Sequence, residues 1–392
     1  MTNEVTQKTT SNEQNVSSSN GLEPSIRFKN FSQKWENIKL KEIGTFQKGA
    51  PLSKADISQD GRPFILYGEL YTTYDEVTYN VIRKTNKKVE SIYWSNVGDV
   101  IIPTSGETPE EIATATCVMV PDVILAGDLY IFRQNKIDGR ILSYIINHVV
   151  NEKISRVAQG KSVVHVRAEE LGKIAINTPS LPEQQKIADF LSLVDQRIEK
   201  QRQLVESLKK YKRGLLSAIF DKISQTNVLP LGKICNITTG KLDANAMVDG
   251  GKYRFYTCAR EFFQIDNYAF DTDALLISGN GANVGYIHHY CGKFNAYQRT
   301  YVLDAFQENI MYIYYYLQAN LHPRIEAEKK AGNTPYIVLS TLSDMGIKLP
   351  TKEMQDKIAK IFAILDKKII DENGILEDLN IQKRGLLQQM FI

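Results

Sequence analysis

Residues Pro179-Ser180-Leu181-Pro182-Glu183-Gln184-Gln185-Lys186-Ile187-Ala188 and Lys212-Arg213-Gly214-Leu215-Leu216 decide the fold, because both strings return later in the chain. A constant offset of 171 residues lays 171–220 over 342–391 without a gap. Pro179 then meets Pro350, Gln184 meets Gln355, and Lys186-Ile187-Ala188 meets Lys357-Ile358-Ala359. Asp195 falls on Asp366, Lys212-Arg213-Gly214-Leu215-Leu216 on Lys383-Arg384-Gly385-Leu386-Leu387, and Phe220 on Phe391. Agreement over fifty residues marks an internal duplication, the first thing to seek in any chain.

The duplication reaches the front of each half. Leu40-Lys41-Glu42-Ile43-Gly44 opens the first, and Leu231-Gly232-Lys233-Ile234-Cys235 opens the second, at an offset of 191. The first intervening region is therefore about twenty residues longer, and between the anchors the halves show little similarity. The order is variable region, shared segment, variable region, shared segment.

Each shared segment reads as a long helix. Ser180 with Glu183 has the form of a capping box, and Thr351 is its counterpart without the glutamate. Spacing then alternates four and three through Ile187, Leu191, Val194, Ile198, Gln201, Val205, Leu208, Lys212 and Leu215. The second copy runs Ile358, Phe362, Leu365, Ile369, Glu372, Leu376, Leu379, Lys383 and Leu386. Such stripes predict a coiled-coil seam rather than two amphipathic helices on separate cores, since two equal seams have a partner in each other. A pseudo-twofold relation makes the helices antiparallel and sets Gln201 opposite Glu372 as a register-fixing pair. From residue 182 to 219 each helix is roughly 57 Å long, enough to set two regions on successive turns of duplex DNA.

The variable regions, 35–179 and 228–350, alternate short apolar runs with turn residues, as in Asp99-Val100-Ile101-Ile102-Pro103, Asp128-Leu129-Tyr130-Ile131-Phe132 and Ala274-Leu275-Leu276-Ile277-Ser278. Strands are expected there, with short helices over 141–154 and 310–320. Basic, hydrogen-bonding and aromatic side chains interleave in them. In the first region the candidates for DNA contact are Tyr71, Thr72, Thr73, Arg83, Lys84, Lys87 and Lys88. In the second they are Lys252, Arg254, Arg260, Asn280, His288 and Arg299. Such groups read base edges or position on phosphates, and equally make a solvated basic face. Each region closes on a Gly-polar loop, Gly160-Lys161-Ser162 and Gly332-Asn333-Thr334, which either presents backbone amides to a phosphate or is a plain turn.

Composition narrows the class. The 392 residues suit two or three domains, and 43% apolar with 24% charged describes a soluble globular chain. Residues 1–21 carry almost nothing apolar and read as a disordered tail. No run approaches a membrane span and no secretory leader opens the chain. The four cysteines form no CxxC pair, which points to a reducing compartment. A net charge of +3 means that any nucleic-acid footprint is local.

Catalytic signatures are missing. Gly160-Lys161-Ser162 looks like a Walker A ending, but residue 155 is Ser where Gly is required. The third glycine of Gly279-Asn280-Gly281-Ala282-Asn283-Val284-Gly285 is a residue late for a dinucleotide loop. His288, His289 and Cys291 lack a metal spacing, so no metal is expected. There is no G-x-S-x-G and no Asn-Pro-Pro-Tyr or Asp-Pro-Pro-Tyr string.

The stretch from Pro179 to Ala188, the long helix and Lys212-Arg213-Gly214-Leu215-Leu216 resemble the specificity-subunit family of type I restriction–modification systems, as do Arg27-Phe28, Trp35-Glu36 and Leu40-Lys41-Glu42-Ile43-Gly44. The resemblance covers 26–392 and departs at Glu353-Met354-Gln355, where the Glu-Gln pair is missing. It implies a mixed α/β (α+β) chain in which two target recognition domains are joined by two long helices in an antiparallel coiled coil. The parts are a tail at 1–25, target recognition domains at 26–179 and 223–350, and spacer helices at 180–222 and 351–392. It further implies a non-catalytic cytoplasmic subunit that reads a bipartite, gapped site in double-stranded DNA. Two DNA methyltransferase subunits dock on the helices, and restriction/translocase subunits join for cleavage. S-adenosylmethionine, ATP and Mg then belong to those partners, and this chain binds no cofactor. Competing readings are a stand-alone two-headed DNA-binding regulator, a nuclease or methyltransferase of unusual motif, and a coiled-coil scaffold indifferent to DNA.

Overall fold

The computed structural model describes residues 24–160, 163–223, 226–328 and 336–391. Apart from Pro24 and Ser25, the expected tail lies outside the described residues, as do Lys161, Ser162, Asn333 and Thr334. The chain forms two compact units. One comprises the residues up to 199 together with those from 378 onward, and the other residues 200–377. Each unit thus owns one variable region and a stretch of both long helices, which run Leu181–Lys222 and Lys352–Met390.

In the first unit a five-stranded sheet has the order Gly44–Lys48, Leu129–Gln134, Asp99–Pro103, Thr116–Val118, Val77–Thr78. Its strand Asp99–Pro103 is buried throughout, because both faces are covered. Val100, Ile102 and Phe132 point to a core shared with helix Gly139–His148, while Ile101 and Ile131 point the other way onto Ile65 and Leu125. A second sheet, Arg83–Thr85, Arg62–Leu66, Ile124–Ala126, lies beside it in this unit.

The second unit holds a six-stranded sheet in the order Asn236–Thr239, Thr300–Asp304, Phe270–Ser278, Ile287–Ala296, Tyr253–Tyr256, Phe263–Ile265. Leu275, Ile277 and Leu303 pack against helix Ile310–Glu328. The opposite face is a smaller cluster built from strand residues: Tyr256, Ala274, Leu276, Phe294, Ala296 and Val302, with Phe270 and Tyr290 against them.

The regions between the anchors, which share little sequence, share a frame. Glu36–Lys39 pairs antiparallel with Ala175–Thr178, and Asn227–Pro230 pairs in the same way with Gly346–Leu349. Both large sheets open with three equivalent strands, and an equivalent helix follows the second of these strands. The offset of 171 therefore reaches back to Asp138 and Asn309, further than identity reveals. Gln184 accepts from the Asp138 N–H at 2.8 Å, and Gln355 from the Asn309 N–H at 3.2 Å. The side-chain NH₂ groups of Gln184 and Gln355 donate to Pro179 O and Pro350 O at 2.9 and 3.0 Å. Side chain grips main chain, so the gripped residue is free to vary. The glutamate of the first copy spends both oxygens on Arg27, at 2.7 and 2.8 Å, whereas Met354 at its counterpart is exposed.

Within each unit the helices run antiparallel. Ile187 and Leu191 share a core with Leu387 and Met390 in the first. Leu216 and Phe220 share one with Ile358 and Phe362 in the second. No seam position of either helix is exposed. In the second unit Gln201 Nε2 donates to Glu372 Oε2 at 2.6 Å and to its carbonyl at 2.9 Å.

A charge cluster recurs where each pair crosses. Lys383 meets Asp195 at 2.8 Å, and the Tyr144 hydroxyl bonds the same carboxylate. In the second unit Lys212 meets Asp366 at 2.5 Å, and the Tyr315 hydroxyl donates to it at 2.9 Å. The ammonium groups sit 5.5 and 5.2 Å from the Tyr144 and Tyr315 ring centres. Only the first cluster gains Glu76, which binds Lys383 at 2.7 Å and His148 at 2.5 Å. Burial works against its charge, yet the His148 bond and the Lys383 charge hold the Glu76 carboxyl down at about 2. Burial pushes Asp195 the other way, above its usual range.

A lowered carboxylate stabilises the fold above its unfolded value and loses that effect as pH falls through the folded one. Glu76→Gln should therefore cost about 3 kcal/mol at neutral pH and progressively less from about pH 4.5 down to 2, measured by urea unfolding across that range. An equal loss at every pH would refute this. Replacing both Gln201 and Glu372 with Leu should preserve folding but let the seam slip, read as a spread of disulfide pairs from cysteines placed along it. A single unchanged crosslink register would refute the pair's role.

Candidate nucleic-acid interface

The candidates of the first unit divide by what already holds them. Arg83 pairs with Glu69 at 2.6 Å, and Glu69 is buried with its other oxygen on the Leu66 N–H at 2.9 Å. Its guanidinium thus answers a buried charge. Lys87 lies 3.5 Å from Asp56 and stays exposed, as do Lys84 and Lys88. Thr72 bonds Gly68 O at 2.8 Å and Thr73 at 3.2 Å, anchoring its turn. Tyr71 is partly buried, and burial followed by the charges of Tyr67, Glu111 and Glu107 raises its phenol above the usual range. Acidic surroundings suit a phosphate poorly at Tyr71. The exposed cations lie on and after edge strand Arg83–Thr85, whose neighbour Arg62 stacks on Trp94 at 3.8 Å.

In the second unit, Lys252 and Arg254 line a cavity of about 460 Å³ with Gly251, Tyr253, Phe262, Gln264, Tyr290 and Lys293. The Arg254 guanidinium lies 4.2 Å from the Phe262 ring centre and 4.5 Å from that of Tyr290. Strand alternation makes this cavity: Arg254 and Tyr256 share a face while Phe255 turns into the core, and Gln264 is the cross-strand neighbour of Arg254. Sequence reading missed Phe262, Gln264 and Lys293, which only the pairing of Tyr253–Tyr256 with Phe263–Ile265 and Ile287–Ala296 brings to Arg254.

The remaining candidates sit elsewhere on the same unit. Asn280 accepts from Cys258 Sγ at 3.0 Å, in the loop that joins two antiparallel strands as a hairpin. Arg299 lines a second cavity, of about 360 Å³, with Gly279, Gln298 and Tyr336. Arg260 donates to Asn283 at 3.3 Å beside Tyr286. His288 is packed between Tyr256 and Tyr286, ring centres 5.0 and 4.8 Å away, and gives its Nε2 proton to Ala259 O at 3.1 Å. Burial pushes its imidazole below the usual value, so it is a packing residue more than a cation. Its neighbour His289 points across the sheet to Asp273 at 2.8 Å.

The model of the type I restriction modification DNA specificity domain matches residues 32–210 and again 224–380. The chain belongs to that family. It is 38% identical over 149 residues to the EcoDI type I restriction enzyme specificity subunit of Escherichia coli, covering 38% of this chain and 33% of that protein. The chain thus spans about a third of that relative in the match. The crystal structure of a type I restriction–modification S subunit from M. genitalium shares the fold over 94% of this chain and 99% of that one, with a TM-score of 0.65 at 20% identity. A structure from work on complex assembly and conformational transition of the type I system matches 91% of this chain and 97% of its own, with a TM-score of 0.53 at 16% identity.

The two kinds of cation should separate experimentally. Arg83→Ala leaves buried Glu69 without its half-exposed ion partner and should cost about 1 kcal/mol of stability. Lys88→Ala should leave stability unchanged and lower the slope of log affinity for duplex DNA against log salt by about one. Denaturant titration and salt-dependent binding decide, and a stability loss at Lys88 with none at Arg83 would reverse the assignment.

Proposed function

We propose that the chain is the DNA-reading subunit of a type I restriction–modification complex, with no reaction of its own. The observation that carries the reading is the double match to the specificity-domain family, laid on a duplicated frame with an unlike sheet in each copy. Each unit reads one half of a two-part, gapped site. The long helices act as its ruler and as the docking surface for two methyltransferase subunits. Their outer faces support this, since Leu193, Tyr211, Ile364 and Ile370 are all at least 60% exposed on helices whose inner faces are buried. Restriction/translocase subunits join the same assembly. S-adenosylmethionine, ATP and Mg are bound by those partners, and adenine methylation and cleavage are theirs.

No helix among the described residues is long and apolar enough to cross a membrane, which suits work on cytoplasmic DNA. Nothing in the comparisons favours a stand-alone regulator.

Methylome sequencing of cells producing this chain with its methyltransferase should reveal one two-part adenine motif. Exchanging residues 228–350 for the matching region of another family member should rewrite one half of that motif and leave the other intact. A change in both halves, or methylation without a two-part motif, would overturn the proposal.

A further inference from the structure

The cavity around Arg254 is dominated by hydrogen-bond donors. Lys252 and Lys293 contribute ammonium groups, which donate and never accept. The side-chain oxygen of Gln264 accepts from the Gly250 N–H at 2.9 Å, and its NH₂ adds two more donors to the lining. Arg254 adds a planar fork of donors, of which one nitrogen makes a long contact of 3.4 Å with Tyr256 Oη. No carboxylate lies within ion-pair distance of Arg254 among the described residues, in contrast to Arg83, Arg133 and Arg140. Lys293 reaches Asp271 only at 4.0 Å.

The aromatic walls matter as much as the charge. Packing against Phe262 and Tyr290 holds the guanidinium in one orientation, so little side-chain freedom is left to lose when it binds. A fixed fork can grip a phosphate or a base edge through two parallel bonds, and of the two only the base edge carries sequence. A recessed and oriented fork with donor neighbours suits a planar edge made only of acceptors.

In the major groove guanine offers that edge, N7 beside O6, whereas adenine and cytosine each present an amino donor. Adenine's usual reader is the amide of Asn or Gln, which donates and accepts at once, whereas the Arg254 fork only donates. We propose that Arg254 reads a guanine in the half-site bound by the second unit, with the Gln264 amide donating alongside. The inference rests on the DNA-reading function proposed above.

The test uses the full chain assembled with its methyltransferase, and selection from a pool of randomised DNA duplexes. Wild type should return a two-part motif with a guanine in the half that follows residues 228–350. Arg254→Lys keeps the charge but not the fork, and should reduce the preference for that guanine by about 5- to 150-fold, the worth of one bidentate pair. The half read by the first unit should be unchanged, which also reports that the complex is folded. Arg254→Ala should give the same pattern with weaker overall binding.

Three results would overturn the inference. The first is a guanine preference that persists in both variants. The second is a uniform weakening on all sequences with a salt slope lower by about one, which would assign Arg254 to a phosphate. The third is loss of both halves together, which would make it a structural residue. If wild type returns no two-part motif, the DNA-reading function itself fails, and this inference with it.

Discussion

A lysine reaching across from one long helix to an aspartate on the other, under a tyrosine from the neighbouring sheet domain, is the contact on which the architecture turns. Lys383 with Asp195 and Tyr144, and Lys212 with Asp366 and Tyr315, each tie three elements at one point. An apolar seam alone would tolerate sliding by a heptad, because leucines are interchangeable. A half-buried ammonium is not, since moving it off its carboxylate leaves two uncompensated charges. The tyrosine adds the requirement that the sheet domain sit in the same register as the helices.

The frame around that contact is conservative where the heads are not. Both units begin with the same antiparallel pair and the same three strands, and in both the sheet buries one face on the helix that carries the tyrosine. What differs lies beyond the third strand. The first unit turns to a second small sheet, and the second unit extends its main sheet to six strands. The unlike candidate surfaces follow: an exposed cationic edge in one, a recessed aromatic and basic cavity in the other.

Much of this was legible in the sequence. The heptad stripe, the offset of 171 and the polar pair Gln201 and Glu372 are local or self-repeating signals, and periodicity reads them directly. The reach of the repeat back to Tyr144 and Tyr315 was not, because only a core position, a hydroxyl and a backbone N–H are constrained there, and those leave little identity. The cavity around Arg254 was half visible. Lys252 and Arg254 announce themselves on one strand, but Phe262, Gln264 and Lys293 arrive through cross-strand register, which no linear pattern encodes. Arg83 shows the converse error of composition, where a basic residue in a basic run serves an internal carboxylate.

The bonds from Gln184 and Gln355 to the amides of residues 138 and 309 have an evolutionary consequence. A joint made to a peptide N–H is indifferent to which amino acid carries it, provided that it is not proline. Heads of unrelated sequence can then be plugged into an unchanged scaffold without a compensating mutation at the socket. Selection is left free to diversify the surface of each head while the joint beneath it stays fixed.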